Sequence, residues 1–299
     1  MKKLTIIFTL IASILLATAF SSCKSERKYT TTEFDDYILF QNLKYGDDER
    51  NILDLFVPKN LSGDACLVMQ IHGGGWVAGD KDGLSGDYKQ WINKKIIYAT
   101  INYRYADGFS VTASDILSDI SSSLVAIKTK CESLGINAKK VGFYGGSAGG
   151  HLSLLYAYKM ANNSPIKPAF VASYSGPTDL TDSNYLEEKD NKDQVVDLLA
   201  KISGAYQYKN GIKDYSFLLK DVSPVFYANE LSVPTLIFHG TNDDIVPYSN
   251  AVTLDSILTE YGVAHEFITF KNSGHGLEND SESSKKANEL LMEYAERYL

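Results

Sequence analysis

The stretch GFYGGSAGGH, Gly142 to His151, sets one serine among glycines directly after the apolar run Val141–Tyr144. A nucleotide P-loop would need Gly, any four residues, Gly, then Lys and Ser or Thr. Gly145 and Gly150 have that spacing, but His151 stands where the lysine belongs, so the cation for a phosphate is missing. A dinucleotide fingerprint needs a glycine two places after the first and another three further on, and no frame of the stretch supplies both. The pattern that fits is Gly145-Gly146-Ser147-Ala148-Gly149, Gly-x-Ser-x-Gly, between a predicted strand and a predicted helix. Exposing a serine hydroxyl at the tip of such a turn strains its backbone. Gly145 and Gly149 remove side chains that would collide across it. The Ala148 amide is left at a helix start, where it can donate to a developing oxyanion. The rival is a packing turn in which Ser147 only caps the helix.

Outward from that turn, strand-like and helix-like segments alternate. The predicted strands are Tyr37–Lys44, Ile52–Val57, Cys66–His72, Ile96–Asn102, Lys140–Tyr144, Ala169–Ser175, Thr235–His239 and His265–Phe270. Predicted helices cover Gly86–Asn93, Ala113–Leu134, Ala148–Ala161, Ser249–Tyr261 and Ser281–Tyr298. Alternation implies an α/β fold: a mostly parallel eight-stranded sheet covered by helices on both faces, with ligands at the carboxyl ends of the strands. The first two strands, joined by the turn-like GDDERN (Gly46–Asn51), are expected to form an antiparallel edge. Thr178–Glu230 is too long for a simple connection and contains a helix-like piece, Asp193–Lys201. It is expected to be an insertion over the site, after the sixth strand.

A second stretch, QIHGGGWVAGD (Gln70–Asp80), sits at the end of the third predicted strand. A serine nucleophile needs donors aimed at the carbonyl oxygen as it becomes negative, and His-Gly-Gly-Gly supplies backbone amides without obstructing side chains. With YGDDERNILDLFVP, INYRYA, HGTNDDIVP and NSGHGLE in order, residues 34–299 resemble the α/β-hydrolase esterase/lipase group. That group is related to hormone-sensitive lipase and to small bacterial carboxylesterases, including acetyl and feruloyl esterases. The resemblance implies that Ser147 is the nucleophile and that Gly74, Gly75 and Ala148 give the oxyanion-hole amides. Two departures stand out: Gly146 where many relatives have Asp, and NYRYAD where many have NYRLAP. The first points to the exported carboxylesterase branch, and the second alters a wall near the site.

In this fold the acid and base follow the serine in the chain. Of the histidines after it, His275 lies in Ser-Gly-His-Gly just past the last strand and is the candidate base, unless it is a surface-loop histidine. His239 and His265 are expected to pack or anchor loops, while His72 and His151 shape the oxyanion loop and the helix packing. For the acid, HGTNDDIVP offers Asp243 and Asp244; counting from His239 in the family pattern favours Asp243, with Asp244 and Asp179 as alternatives. The implied chemistry is acyl transfer to water through an acyl-enzyme, with no metal and no cofactor. A formamidase, lactonase or exopeptidase would use the same triad. A noncatalytic binding lipoprotein on this fold is the alternative of another class.

The formal net charge of −8 argues against a nucleic-acid partner. Residues 1–22 read as an export signal: Lys2 and Lys3, an apolar core Leu4–Phe20, then Ser21-Ser22 before Cys23. This resembles a bacterial lipoprotein signal and implies a lipid anchor on Cys23, in a periplasmic or cell-surface lipoprotein, followed by a tether over 23–33. Plain secretion, with Cys23 removed or left as a free thiol, is the other outcome. Cys66 and Cys131 are expected as buried thiols, or as a bridged pair. In the insertion, Tyr206, Tyr208, Tyr215 and Phe217 either line an acyl or aryl pocket or pack onto the domain. Without a long apolar lid, the expected substrates are short-acyl esters on small molecules or glycans.

Overall fold

A computed structural model describes residues 27–84, 88–186, 192–207 and 216–299. The export signal, Cys23, the first tether residues, Tyr208 and Tyr215 lie outside the described residues. The strands are β1 (Thr30–Glu33), β2 (Tyr37–Lys44), β3 (Ile52–Pro58), β4 (Gly63–Ile71), β5 (Ile97–Ile101), β6 (Ile136–Gly146), β7 (Lys167–Tyr174), β8 (Thr235–Gly240) and β9 (His265–Phe270). They form one sheet in the order β1-β2-β3-β5-β4-β6-β7-β8-β9. The first four in that order pair antiparallel, and all pairs from β5 onward are parallel.

The sheet therefore has nine strands rather than the expected eight. The extra one, Thr30–Glu33, falls in the predicted tether and pairs with Ile38–Gln41. All its residues are exposed, so it carries no apolar alternation; the open backbone edge of β2 recruits it. β6 begins at Ile136, earlier than expected, because Ile136 and Ala138 point inward while Asn137 and Lys139 face water.

The helices are α1 (Tyr88–Asn93), α2 (Ala113–Glu132), α3 (Ala148–Lys159), α4 (Lys192–Ser203), α5 (Ser216–Asp221), α6 (Ser249–Glu260) and α7 (Ser281–Tyr298). Both faces of the central strands are covered, which is why β4 and β5 read as nearly continuous apolar runs. Alternation along β4 assigns its side chains to two cores. Leu67, Met69 and Ile71 belong to one with Ile116 and Leu124 of α2 and Leu152 of α3. Val68 belongs to the other with Trp91 of α1 and Leu291 of α7, and Gln70 shares its face.

The insertion is tied to the sheet end at both its ends. The amides of Thr178 and Asp179 donate to Asn250 Oδ1 on α6 at 2.8 and 2.9 Å, and the Val225 amide donates to the Thr178 carbonyl at 3.1 Å. Cys66 and Cys131 are both free thiols, which removes the bridged alternative. Burial pushes the Cys131 thiol up to about 12.

Candidate active site

β6 enters the turn and α3 leaves it, with Ser147 between them at φ 54°, ψ −124°. A left-handed φ on a residue with a side chain costs about 1–3 kcal/mol and persists only where the surroundings enforce it. Here they do. The Ser147 amide donates to the Tyr174 carbonyl at the end of β7 (2.7 Å), and the His151 amide closes on the Ser147 carbonyl (3.0 Å). The turn is pressed against the end of β4: a Cβ at Gly149 would lie 2.0 Å from the Ile71 carbonyl oxygen, and one at Gly145 2.5 Å from it. Ser147 makes no side-chain cap bond to α3, which removes the packing-turn alternative.

Its hydroxyl faces a histidine instead. His275, on the loop after β9, has Nε2 2.9 Å from Ser147 Oγ and Nδ1 2.8 Å from Asp243 Oδ2. Asp243, on the turn after β8, is buried. Its Oδ1 accepts the amides of Ile245 and Val246 at 3.0 and 2.9 Å, and its Oδ2 also lies 3.2 Å from His239 Nε2. Burial alone would raise this carboxyl; the hydrogen bonds from His239 and His275 outweigh it and hold the group well below the ordinary carboxylate range. Asp244 is exposed, and Asp179 folds onto its own chain, accepting the Thr181 amide at 2.9 Å. Only Asp243 of the three meets His275. His265 bonds Asp255 and Val263 away from the serine, as an anchoring residue would.

The loop His72–Asp80 follows β4. Gly74, Gly75 and Trp76 all have positive φ (108°, 56° and 65°), and a Cβ at Gly74 would strike the Ala78 carbonyl at 2.3 Å. The turn closes with the Val77 and Ala78 amides on the Gly74 carbonyl. Arg50 braces it from behind: Nη2 reaches the Gly79 carbonyl (3.1 Å) and His72 Nε2 (3.2 Å), while Nε donates to the Tyr103 carbonyl (2.7 Å). The loop's far end is anchored by Asn102 on Asp80 and by the fully buried Lys81 on Asp54 at 2.9 Å. The departure NYRYAD belongs to this bracing. Tyr105 lies under the Arg50 guanidinium and donates to the Gly79 carbonyl at 2.6 Å, while Asp107 accepts the amides of Phe109, Ser110 and Val111. The Ala148 amide, first of α3, has no intrahelical acceptor.

Two buried histidines hold this scaffold in neutral form. His151 on α3 donates from Nε2 to the Val222 carbonyl (2.7 Å) and accepts Trp76 Nε1–H at Nδ1 (3.1 Å), joining helix, loop and insertion. Burial pushes His151 and His72 each down to about 4. An unfolded histidine titrates near 6.5, so between about 6.5 and 4 the unfolded chain binds protons that the native one refuses. Stability is full above that window and is lost as pH falls through it, by roughly 2 kcal/mol per histidine between pH 7 and 5. Urea unfolding should show this loss in the wild type. His151→Gln, whose carboxamide can donate and accept but does not titrate, should lose about half as much; an undiminished loss contradicts the assignment.

A cavity of about 620 Å³ opens beside Ser147 and His275, between the strand ends and the helices α1 and α7. The described residues of the insertion do not line it. Tyr206 packs on Phe109 with ring centroids 5.7 Å apart, Phe217 is 58% exposed, and α4 instead lays Leu198 over Gly75. The aromatic residues of the insertion that are described thus follow the packing alternative in the case of Tyr206 and stay outside the cavity in both.

Comparison with known proteins gives concordant matches. The BD-FAE family matches residues 53–258. The isoprenylcysteine alpha-carbonyl methylesterase ICME of Arabidopsis thaliana is 25% identical over 248 residues, covering 79% of this chain and 56% of that protein. An acetylxylan esterase of Xylanibacter ruminicola is 23% identical over 246 residues, covering 78% of this chain and 45% of its own. The chain spans about half the length of the curated relatives it matches. Among solved structures, a truncated carbohydrate esterase from gut microbiota superposes with a TM-score of 0.71 at 19% identity, over 90% of this chain and 100% of that one, which shows the shared fold.

Proposed function

Because the chain belongs to the BD-FAE family of α/β-hydrolase esterases, we propose that it is a serine hydrolase that removes short acyl groups from esters carried by glycans or small alcohols. The observation that supports this most is the unbroken file Ser147 Oγ, His275 Nε2, His275 Nδ1, Asp243 Oδ2, at 2.9 and 2.8 Å, standing at the mouth of the cavity.

In the proposed reaction Ser147 gives its proton to His275 Nε2 as Oγ attacks the ester carbonyl carbon. The carbonyl oxygen becomes an oxyanion facing the amides of Gly74, Gly75 and Ala148. Asp243 holds Nδ1 protonated and stabilises the imidazolium, which then passes the proton to the departing alcohol oxygen as the C–O bond breaks. Water, deprotonated by the same imidazole, attacks the acyl carbon, and Ser147 leaves with its proton restored. Glycan-borne esters are included on the strength of the acetylxylan esterase relative.

A panel of acetyl, feruloyl and anilide substrates with a common chromophoric readout tests the proposal. The acetyl or feruloyl ester should turn over at least about 100-fold faster than the anilide; preference for the amide bond would reverse the assignment. We also propose that the chain is exported and anchored through a lipid on Cys23, supported by the segment Lys2 to Cys23. A Cys23→Ala protein that stays with the membrane fraction would defeat that part.

A further inference from the structure

The cavity beside Ser147 has Leu84, Phe270, Leu277 and Leu291 among its walls, with the polar side chains of Gln90, Ser284 and Asn288 on its helix side. One polar group on its sheet side is held in a fixed orientation. Gln70, on β4 and just ahead of the loop that begins at His72, accepts the Tyr144 hydroxyl on Oε1 at 3.0 Å, and the same oxygen shares the single Tyr98 hydroxyl proton with the Leu84 carbonyl. Tyr144 in turn accepts Trp91 Nε1–H at 3.3 Å, and the Tyr98 hydroxyl also reaches the Leu84 carbonyl at 2.9 Å. Because the Trp91 N–H occupies the Tyr144 oxygen, the Tyr144 proton goes to Gln70 Oε1, which turns the carboxamide so that Nε2 has no partner among the described residues. A donor held in one orientation discriminates once the ligand displaces water from it, because an arm without an acceptor leaves it unpaired.

The second observation is Gly146, which also lines this cavity. Unlike Gly145 and Gly149, it is not forced by the turn. Its φ is not left-handed, and a Cβ there would meet nothing nearer than the Tyr174 carbonyl oxygen at 3.9 Å. What the missing side chain does is leave the cavity open next to the nucleophile.

We propose that this cavity holds one arm of the ester, that Gln70 Nε2 donates to an uncharged oxygen on that arm, and that Gly146 sets how wide the arm can be. The substrates so selected carry an ether, hydroxyl or carbonyl oxygen on an arm longer than acetyl, rather than a plain hydrocarbon chain. The inference rests on Ser147 being the esterase nucleophile.

Two matched pairs test it and separate the acyl from the alcohol arm. In the acyl pair, an aryl pentanoate is compared with the aryl 3-methoxypropanoate, which replaces one CH₂ by oxygen; in the alcohol pair, butyl acetate is compared with 2-methoxyethyl acetate. In one of the pairs the oxygen-bearing member should have a kcat/KM about 10-fold higher in the wild type, the effect of one hydrogen bond. Gln70→Met should erase that ratio. So should Gln70→Glu, which keeps an acceptor for both tyrosine hydroxyls but has no N–H to offer. Gly146→Val should lower kcat/KM for both members of that pair relative to aryl acetate, whose turnover reads the state of the triad in every variant. Equal rates within both pairs in the wild type, or a ratio that survives both Gln70 variants, overturns the proposal while leaving the esterase assignment standing. Absence of turnover on every ester, aryl acetate included, removes both.

Discussion

Ser147→Ala is expected to lower kcat on a short acetyl ester by on the order of 10⁶-fold, while the protein still folds. The expectation follows from the position of Oγ, the atom that His275 Nε2 meets at 2.9 Å and that the strained turn lifts toward the cavity. Nothing in the turn depends on the hydroxyl: the Ser147 amide and carbonyl make the bonds to Tyr174 and His151, and alanine keeps both. Residual catalysis would come from the oxyanion amides acting on attack by water. A loss smaller than about 100-fold, measured on purified folded protein, would mean that the chemistry runs elsewhere.

The second large effect is expected at the acid. Asp243→Asn should cost about 10⁴-fold in kcat, whereas Asp244→Asn should change it by no more than a few-fold. Asp243 Oδ2 accepts the Nδ1 proton of His275, and its Oδ1 is committed to two backbone amides. An asparagine placed there would turn its NH₂ away from the Ile245 and Val246 amides and toward Nδ1. That orientation favours the tautomer with the proton on Nε2, which cannot accept from Ser147. Asp244 is exposed and does not meet His275. Steady-state kinetics on the two variants decide the matter, and a larger loss at Asp244 would refute the assignment.

The strand-to-helix turn, the glycine loop after β4 and the histidine that faces Ser147 were legible in the sequence because each sits in a local backbone requirement written in glycine. Gly149 cannot be anything larger where the Ile71 carbonyl approaches its hydrogen, and Gly74 cannot be where φ is 108°. Strand against helix was legible from length and bounding turn residues, since the central strands, buried on both faces, are short continuous apolar runs. β1 was not, because Thr30–Glu33 is wholly exposed and is held by backbone pairing, which leaves no mark on side-chain choice.

His239 shows the other kind of gap. It fits the expectation of a packing residue, being buried with Nε2 3.1 Å from the Val246 carbonyl, yet the same nitrogen lies 3.2 Å from Asp243 Oδ2. The signal was the spacing of four within His-Gly-x-x-Asp, but spacing alone does not say that a turn brings the two side chains together. Gln70 was hidden for a related reason. On a strand covered on both faces, a polar residue gains meaning only from what crosses the sheet to meet it, here Tyr98 and Tyr144 from β5 and β6.

Of the insertion's described aromatic residues, Tyr206 packs on Phe109 and Phe217 is exposed, while the cavity is built from α1, α7 and the strand ends. From α4, Leu198 lies over the glycine loop after β4, 3.0 Å from where a Cβ at Gly75 would stand.

Activation of Ser147 as a nucleophile can be read by treating the purified chain with a fluorophosphonate and weighing the intact protein, then mapping the modified peptide. A single adduct on Ser147, absent from Ser147→Ala and strongly slowed in His275→Ala, is the predicted result. A folded wild type that stays unmodified, or carries the adduct on another residue, would contradict it.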